Sequence, residues 1–474
     1  MSNSKPFYLT TTLPYVNSAP HLGFALEIVQ ADAIARFKRL QGNEVFFNFG
    51  TDEHGLKIYR KALEQNKEPQ QYVDEYAKKF DDLKSSLNLS YNNFIRTTDK
   101  NHIKAAQEFW NLCFKNGDIY KKLYKIKYCV GCELEKTDSE LENGRCPIHP
   151  SLEIEIIEEE NYFFRFSKYQ NKLLDLYQRN PDFVIPKHRL KEIATFVSGG
   201  LEDFSVSRLK KKMPWGIDVP NDSDHVMFVW FDALVNYVSA IGWPDDKESF
   251  EKWWPVVQFA GKDNLRQQSA IWQAMLFSAG LTPSGQIFIH GFITSEGEKM
   301  SKSRGNVVDP FVFVEKFGTD ALRYYLLAKI NPTEDSDFTS KKFKDVYNAD
   351  LANGIGNLAA RVAAMAQKDG YKAPSVKPLK FSKEVAEAVE NYKLDEALSY
   401  IWLQIKKADL FINKRGVWNL NGKAKEAALT NLIQNIRQIA YDLKPFMPET
   451  SEKIENQYHG PTINSEQPLF PRLK

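Results

Sequence analysis

The chain has 474 residues, 63 of them Lys or Arg against 61 Asp or Glu, a formal net charge of +2 and 43% hydrophobic residues. That length exceeds what one hydrophobic core supports and predicts roughly three domains, while the near-neutral balance excludes binding to nucleic acid through bulk charge and leaves only local patches for such a partner. No apolar run reaches the ~18 residues of a membrane span, and Met1-Ser-Asn-Ser-Lys-Pro leads into a strand-like segment without a signal-peptide core, so a cytoplasmic enzyme with no membrane partner is expected.

In chain order, Phe7-Tyr-Leu-Thr-Thr-Thr-Leu13 is β-branched and aromatic and predicts a buried strand. It ends in a Pro14-to-Pro20 loop. His21-Leu-Gly-Phe24 then opens a helix whose apolar positions are Leu26, Val29, Ala33 and Phe37, with Ser18 near its cap, Pro20 near its first turn and Gly42 as its stop. A strand feeding a helix through a loop is the first half of a Rossmann-type unit, whose helix N-terminus attracts anions. His21 therefore stands either where a phosphate would bind or as a simple helix cap. A second strand, Glu44 to Phe49, ends in Gly50-Thr-Asp-Glu-His-Gly55. Ligands bind at such strand ends in open α/β sheets, and Asp52 is suited to a substrate ammonium group, although the same residues also fit a plain turn.

From about Asn101 to Asp224 the pattern changes to charged helices and short strands. At its centre, Cys129-Val-Gly-Cys132 and Cys146-Pro-Ile-His149 are separated by thirteen residues. This pair of knuckles predicts one closed, structural Zn2+ site with Cys129, Cys132, Cys146 and His149 as ligands. Cys113 is left over as a small buried hydrophobe. The acidic run Glu153 to Glu159 and the basic run Arg208 to Lys212 are expected to be solvated faces, with contact to an RNA backbone the alternative for the basic run. Strand-then-helix patterns return at His225 to Tyr237 and at Val256 to Asp263, which implies one nucleotide-binding domain split by the zinc segment.

After the strand Gln286 to His290 comes Gly297-Glu-Lys-Met-Ser-Lys-Ser-Arg-Gly-Asn306. Two lysines three residues apart, between a glycine and a turn signal, suit a mobile loop that closes over a polyphosphate and neutralises charge on a leaving pyrophosphate; a solvated basic turn is the plain alternative. Beyond Tyr324, helical periodicity covers Asp345 to Lys368, Lys383 to Asn413 and Ala424 to Leu443. The predicted class is α/β: a Rossmann-type parallel sheet split by a zinc-containing insertion, then an all-α bundle. Its limits are 1–115 and 225–290 for the two sheet halves, 116–224 for the connective insertion, 291–344 for the lysine loop and linking region, and 345–474 for the helical domain. No Walker loop is present, so ATP would be held in another way.

His21-Leu-Gly-Phe24 resembles the HIGH signature, and Lys299-Met-Ser-Lys-Ser303 matches the KMSKS signature, of class I aminoacyl-tRNA synthetases. With Thr10 to Asn17, Gly50 to Gly55, Val229-Trp-Phe-Asp-Ala233, Gly261-Lys-Asp263 and the inserted knuckle, the chain resembles the methionyl-tRNA synthetase family from about residue 7 to its end. The resemblance implies a methionine–tRNA ligase that uses ATP with Mg2+ as substrate, makes methionyl-adenylate and pyrophosphate, and transfers methionyl to its tRNA. It implies that His21, Lys299 and Lys302 are catalytic; that ATP meets His21, Gly23, Gly261, Asp263, Lys299 and Lys302; and that Leu13, Tyr15, Asp52, Trp230, Ala233, Tyr237, Gln268 and Trp272 bind the amino acid. Asn357 and Arg361 match anticodon-reading positions in what would be the anticodon-binding domain.

Three departures stand out. Phe24 replaces the last histidine of the HIGH signature, Gln267-Gln268 replaces the usual Phe-His pair, and the appended RNA-binding and dimerising domain of some members is lacking, so a monomer is expected. Competing readings are another synthetase of the subgroup, such as the cysteinyl, leucyl or valyl type, and an inactive tRNA-binding paralogue. The intact lysine loop argues against the paralogue.

Overall fold

The computed structural model describes residues 4–132, 134–136, 140–300 and 306–473. The chain divides into two units, one formed by Met1–Pro20, Asn43–Asp82 and Tyr91–His290, the other by His21–Gly42, Leu83–Ser90 and Gly291–Lys474.

The first unit is built on a six-stranded sheet in the order Asn93–Arg96, Glu44–Thr51, Pro6–Thr11, Val257–Gly261, Gln286–His290, Val184–Ile185, with every neighbouring pair parallel. Leu9 pairs with Phe47 on one side and with Val257 on the other. Leu9, Phe47, Phe259, Ile287 and Ile289 are buried, as expected of parallel strands covered on both faces. From Pro6–Thr11 the chain builds outward in one direction through residue 96 and later in the other, so the switch point of the sheet lies between Pro6–Thr11 and Val257–Gly261.

Between these halves sits a four-stranded antiparallel sheet, ordered Leu134–Glu135, Ile119–Cys129, Glu155–Phe164, Phe204–Ser205. Its long ribbon pairs from Ile119 with Phe164 to Tyr128 with Glu155 and carries the cysteine knuckle at its tip. The edge strand Val184–Ile185 leaves this stretch to join the main sheet. Cys113 is fully buried, and burial pushes its thiol up to about 12. The basic run is not wholly a solvated face. Arg208 is 3% exposed, its guanidinium lies 4.3 Å from the Phe228 ring centroid, and it donates to Ser205 Oγ at 2.6 Å.

The second unit combines the helix Leu22–Leu40 with a small sheet (Glu298–Lys299, Ile293–Ser295, Ser336–Phe338) and a helical array. Two of the three expected bundle helices are broken. The first runs as Ser340–Val346, a wide-turn segment Tyr347–Gly356 and Asn357–Lys368, kinked where Gly354 takes φ −87° and ψ −105°. The second stops at Glu390 and restarts at Leu394, with Tyr392 at φ 59° between them. The third spans Gly422–Leu443, and Pro448–Tyr458 adds a fourth. Among the described residues, no helix is long and apolar enough to cross a membrane.

Candidate active site

In the first unit, two loops meet beyond the C-terminal ends of adjacent strands. Asp52 N donates to Pro14 O at 3.0 Å, Val16 N donates to Asp52 O at 3.1 Å, and Tyr15 and Asp52 form a parallel bridge. Asp52 is 7% exposed. Its neighbour Glu53 is committed to the scaffold: Arg96 holds it in a fork at 2.6 and 2.9 Å, and the hydroxyls of Thr51 and Thr98 donate to it. The polar cluster between the two glycines therefore separates into one carboxylate tied into the framework and one at the loop junction.

The helix Val229–Leu234 carries Trp230 and Ala233, and Tyr237 follows in Asn236–Ser239. Tyr237 meets Trp272 edge-on at 5.7 Å, and Trp272 stacks on Phe109 at 5.5 Å. Tyr15 and Trp230 pack against a separate cluster of Tyr128, Phe228 and Val229. Gln268 is buried in the wide turn Gln267–Ile271, where its Oε1 accepts from Gln258 Nε2 at 2.7 Å. Such π-type turns are rare and occur frequently at functional sites. Leu13 is half-buried just past the Pro6–Thr11 strand. Across the switch point, Gly261 ends its strand and Asp263 is exposed on the turn Lys262–Asn264. A Cβ on Gly261 would lie 2.9 Å from Asp263 Oδ1 and 3.5 Å from the His290 ring. The sequence reading did not select His290, which is placed here only by the pairing of its strand with Val257–Gly261.

In the second unit, the helix Leu22–Leu40 is capped by His21, one of the two readings its position allowed, while Ser18 lies three residues before the cap. His21 is extended, at φ −133° and ψ 173°, and its Nδ1 accepts from Gly23 N at 3.0 Å. A Cβ on Gly23 would stand 2.8 Å from the His21 ring, so the cap requires glycine there. With Nδ1 accepting, a neutral His21 carries its proton on Nε2. The Phe24 ring covers the imidazole, with centroids 4.3 Å apart. Leu22 N donates to Val308 O at 3.0 Å, which joins the helix start to the chain leaving the lysine loop. At the loop's other end, Asp337 accepts from Thr294 Oγ1 at 2.6 Å and from Gly297 N at 2.8 Å. Lys299 pairs through its backbone with Thr294. Lys302 lies outside the described residues.

The knuckle closes as a Cys3His cluster. The candidate ligand atoms of Cys129, Cys132, Cys146 and His149 lie within 4.8 Å of one another. Cys132 Sγ is 3.4 Å from Cys146 Sγ and 3.2 Å from His149 Nδ1. These separations suit ligands at ~2.0–2.3 Å from one tetrahedral ion. A Cβ on Gly131 would fall 2.4 Å from the His149 ring, so the glycine makes room for the fourth ligand. A divalent ion would supply the charge that makes such clustered thiolates stable.

On the helix Asn357–Lys368, Asn357 is exposed and Arg361 lies one turn further on the same face. Arg361 donates to Asp409 Oδ1 at 3.0 Å and to Asn413 Oδ1 at 2.9 Å. Asp409 and Asn413 also line a cleft of about 490 Å3 with Trp402 and Lys406. Trp418, a large aromatic residue, stands 48% exposed on the turn Val417–Asn419 and was not singled out from the sequence. An aromatic residue in a Gly-Val-Trp-Asn turn was the available signal.

This geometry, a parallel sheet with ligand-type residues at its switch point and a capped helix joined to a lysine loop, defines a class I synthetase architecture. The family profile described as tRNA synthetases class I (M) matches residues 7–154 and 135–363. A methionine–tRNA ligase of Nostoc sp. is 41% identical, over 98% of this chain and 92% of the relative. One from Thermotoga maritima is 41% identical, over 94% and 74%. The structure of Mycobacterium tuberculosis methionyl-tRNA synthetase in complex with methionyl-adenylate superposes with a TM-score of 0.91 at 36% identity, covering 99% of this chain and 100% of that one. The apo form of the same synthetase gives 0.83 at 33% identity, covering 100% and 99%. The chain belongs to the methionyl-tRNA synthetase family.

Proposed function

We propose that the chain is an ATP-dependent methionine–tRNA ligase that serves initiation and elongation of protein synthesis. The observation that carries the reading is the seating of the His21 helix cap, within one unit, on the chain that leaves the lysine loop. In the first step the methionine carboxylate attacks the α-phosphorus of ATP. A C–O–P bond forms, the bond to pyrophosphate breaks, and no protein base is required. Asp52 takes the ammonium group. Leu13, Tyr15, Trp230, Ala233, Tyr237 and Trp272 form the side-chain wall, suited to a polarizable thioether, and Gln268 is its polar member. Gly261 and Asp263 receive the ribose, Gly23 admits the phosphates closely, and His21 donates from Nε2 to a phosphate oxygen. Lys299 and Lys302 stabilise charge on the departing pyrophosphate, whose Mg2+ arrives with ATP. In the second step a terminal ribose hydroxyl of tRNA attacks the adenylate carbonyl and AMP leaves.

The domain at 345–474 meets the anticodon through Asn357 and Arg361, with the exposed Trp418 as a stacking surface for an unpaired base. Cys129, Cys132, Cys146 and His149 hold one Zn2+, whose role is to fold the knuckle. The chain acts as a cytoplasmic monomer.

Amino-acid-dependent ATP–pyrophosphate exchange over all twenty amino acids tests the reading. Exchange with methionine alone is expected. Exchange with another amino acid would redirect the specificity, and none with folded, zinc-loaded protein would favour a binding paralogue. Lys302→Ala is expected to lower the exchange kcat by about 100-fold or more while methionine KM changes little, as fits a group acting in the transition state; equal losses in both would remove the lysine from that role.

A further inference from the structure

The first unit contains a fully buried carboxylate that the reaction above does not use. Asp232 stands between Trp230 and Ala233 in sequence, on the helix Val229–Leu234. Its Oδ2 is 3.0 Å from His54 Nδ1, and its Oδ1 is 3.8 Å from His102 Nε2. His102, on the helix Lys100–Lys115, meets Ser239 Oγ at 2.9 Å through Nδ1. His54 follows Asp52 by two residues in the Gly50-to-Gly55 loop. Trp215 closes the other side of that loop: its Nε1 donates to Glu53 O at 2.6 Å, its O accepts from Gly55 N at 3.1 Å, and its ring lies 5.5 Å from that of His54.

One buried anion thus ties the loop carrying Asp52 to the helix carrying Trp230 and Ala233. Burial alone would raise the Asp232 carboxyl, but His54 and His102 hold it below its ordinary value; a carboxylate oxygen 3.0 Å from His54 Nδ1 accepts the ring N–H there. A buried pair of this kind adds little net stability over an apolar substitute. Its directional bonds do select one register for the two elements, and a pocket that grips both ends of its ligand depends on that register.

We infer that Asp232 and His54 are positioning residues that set the separation between Asp52 and the Trp230–Ala233 wall, and thereby the affinity for methionine and not the rate of phosphoryl transfer. The inference rests on the assignment of Asp52 and Trp230 to the amino-acid site. His54→Asn keeps an N–H donor at the place of Nδ1, whereas His54→Gln carries its amide one methylene too far. In methionine-dependent exchange by the full-length chain, His54→Gln is expected to raise methionine KM about tenfold, with kcat and ATP KM within about threefold. His54→Asn should stay within about threefold of the unsubstituted chain on all three, and Asp232→Leu, which removes the acceptor, should repeat the His54→Gln pattern. An unchanged methionine KM in folded His54→Gln, or equal losses in all three parameters, would overturn the inference. So would failure of His54→Asn to fold, since that variant retains the bond. An unsubstituted chain that neither binds methionine nor supports exchange would instead overturn the site assignment, and this inference with it.

Discussion

His21 uses its two ring nitrogens differently. Nδ1 is spent on the helix cap, which settles the proton on Nε2 and makes that edge a donor. The two readings open at sequence level, cap or phosphate ligand, are therefore compatible in one residue, and substitution separates them. Asparagine is among the best N-caps, so His21→Asn should keep the helix start and melt within about 0.5 kcal/mol of the unsubstituted chain. It removes the Nε2 donor, and loss of one hydrogen bond to a charged group is expected to lower exchange kcat by about 10–100-fold. His21→Ala should show that loss plus about 1 kcal/mol of destabilisation from the missing cap. Thermal melts beside exchange rates decide the matter: His21→Asn exchanging at the unsubstituted rate would mean that the histidine only caps. Residues of this type can be picked out as candidates because their signal is local. His21 next to Leu-Gly, and Asp52 between two glycines, stand out within six residues of sequence. His54, His102 and Asp232 did not, since their meaning lies in a contact between distant parts of the chain.

Among elements, the Cys3His knuckle was the most legible by spacing and the least legible in its consequences. Two Cys-x-x pairs announce a metal loop, but they do not announce that Tyr128, one residue before the first ligand, packs with Phe228 and Val229 into the cluster that backs Tyr15 and Trp230. Nor do they show that Lys57 Nζ, on the helix just after the Asp52 loop, donates to Gly131 O at 3.0 Å inside the knuckle. The broken helices were missed for the same reason: neither Gly354 nor Tyr392 interrupts the apolar period, and tertiary packing decides where the backbone turns. Removing the metal should therefore do more than loosen a distant insertion. Chelation is expected to open the 129–149 segment to protease and also to raise methionine KM several-fold, up to about tenfold, since the support behind Tyr15 and Trp230, the proposed wall residues, is lost. Added Zn2+ should reverse both changes. Cleavage with unaltered methionine affinity would show that the cluster holds without the knuckle.

At the scale of the molecule, the parallel sheet, the insertion and the helical second half could be read from the alternation of strand and helix patterns and from the change in composition between them. The grouping of segments could not, because it rests on contacts between parts of the chain far apart in sequence. The helix Leu22–Leu40 follows a sheet strand directly, yet it belongs with Leu83–Ser90 and Gly291–Lys474. A buried pair ties them together, Asp32 Oδ2 to Arg323 Nη2 at 2.8 Å, with both side chains 0% exposed. Burial would raise the Asp32 carboxyl, but Arg323 and Arg36 hold it below its ordinary value. Arg323 also donates to the carbonyls of Leu87, Pro445 and Phe446 at 2.9–3.1 Å, and Ser90 donates to Asp32 from both N and Oγ at 2.6 Å. Three chain segments therefore complete one polar core. A fragment spanning 291–474 would retain Arg323 while losing its carboxylate and one of its carbonyls. An uncompensated buried charge costs about 3–5 kcal/mol, a large share of the ~5–15 kcal/mol that holds a typical domain together. The isolated fragment is expected to keep helical circular dichroism while losing a sharp thermal transition, and Arg323→Met within it should restore part of the cooperativity by removing the stranded charge. A fragment that melts cooperatively within a few degrees of the full chain would show that the helical half folds without the Asp32 helix.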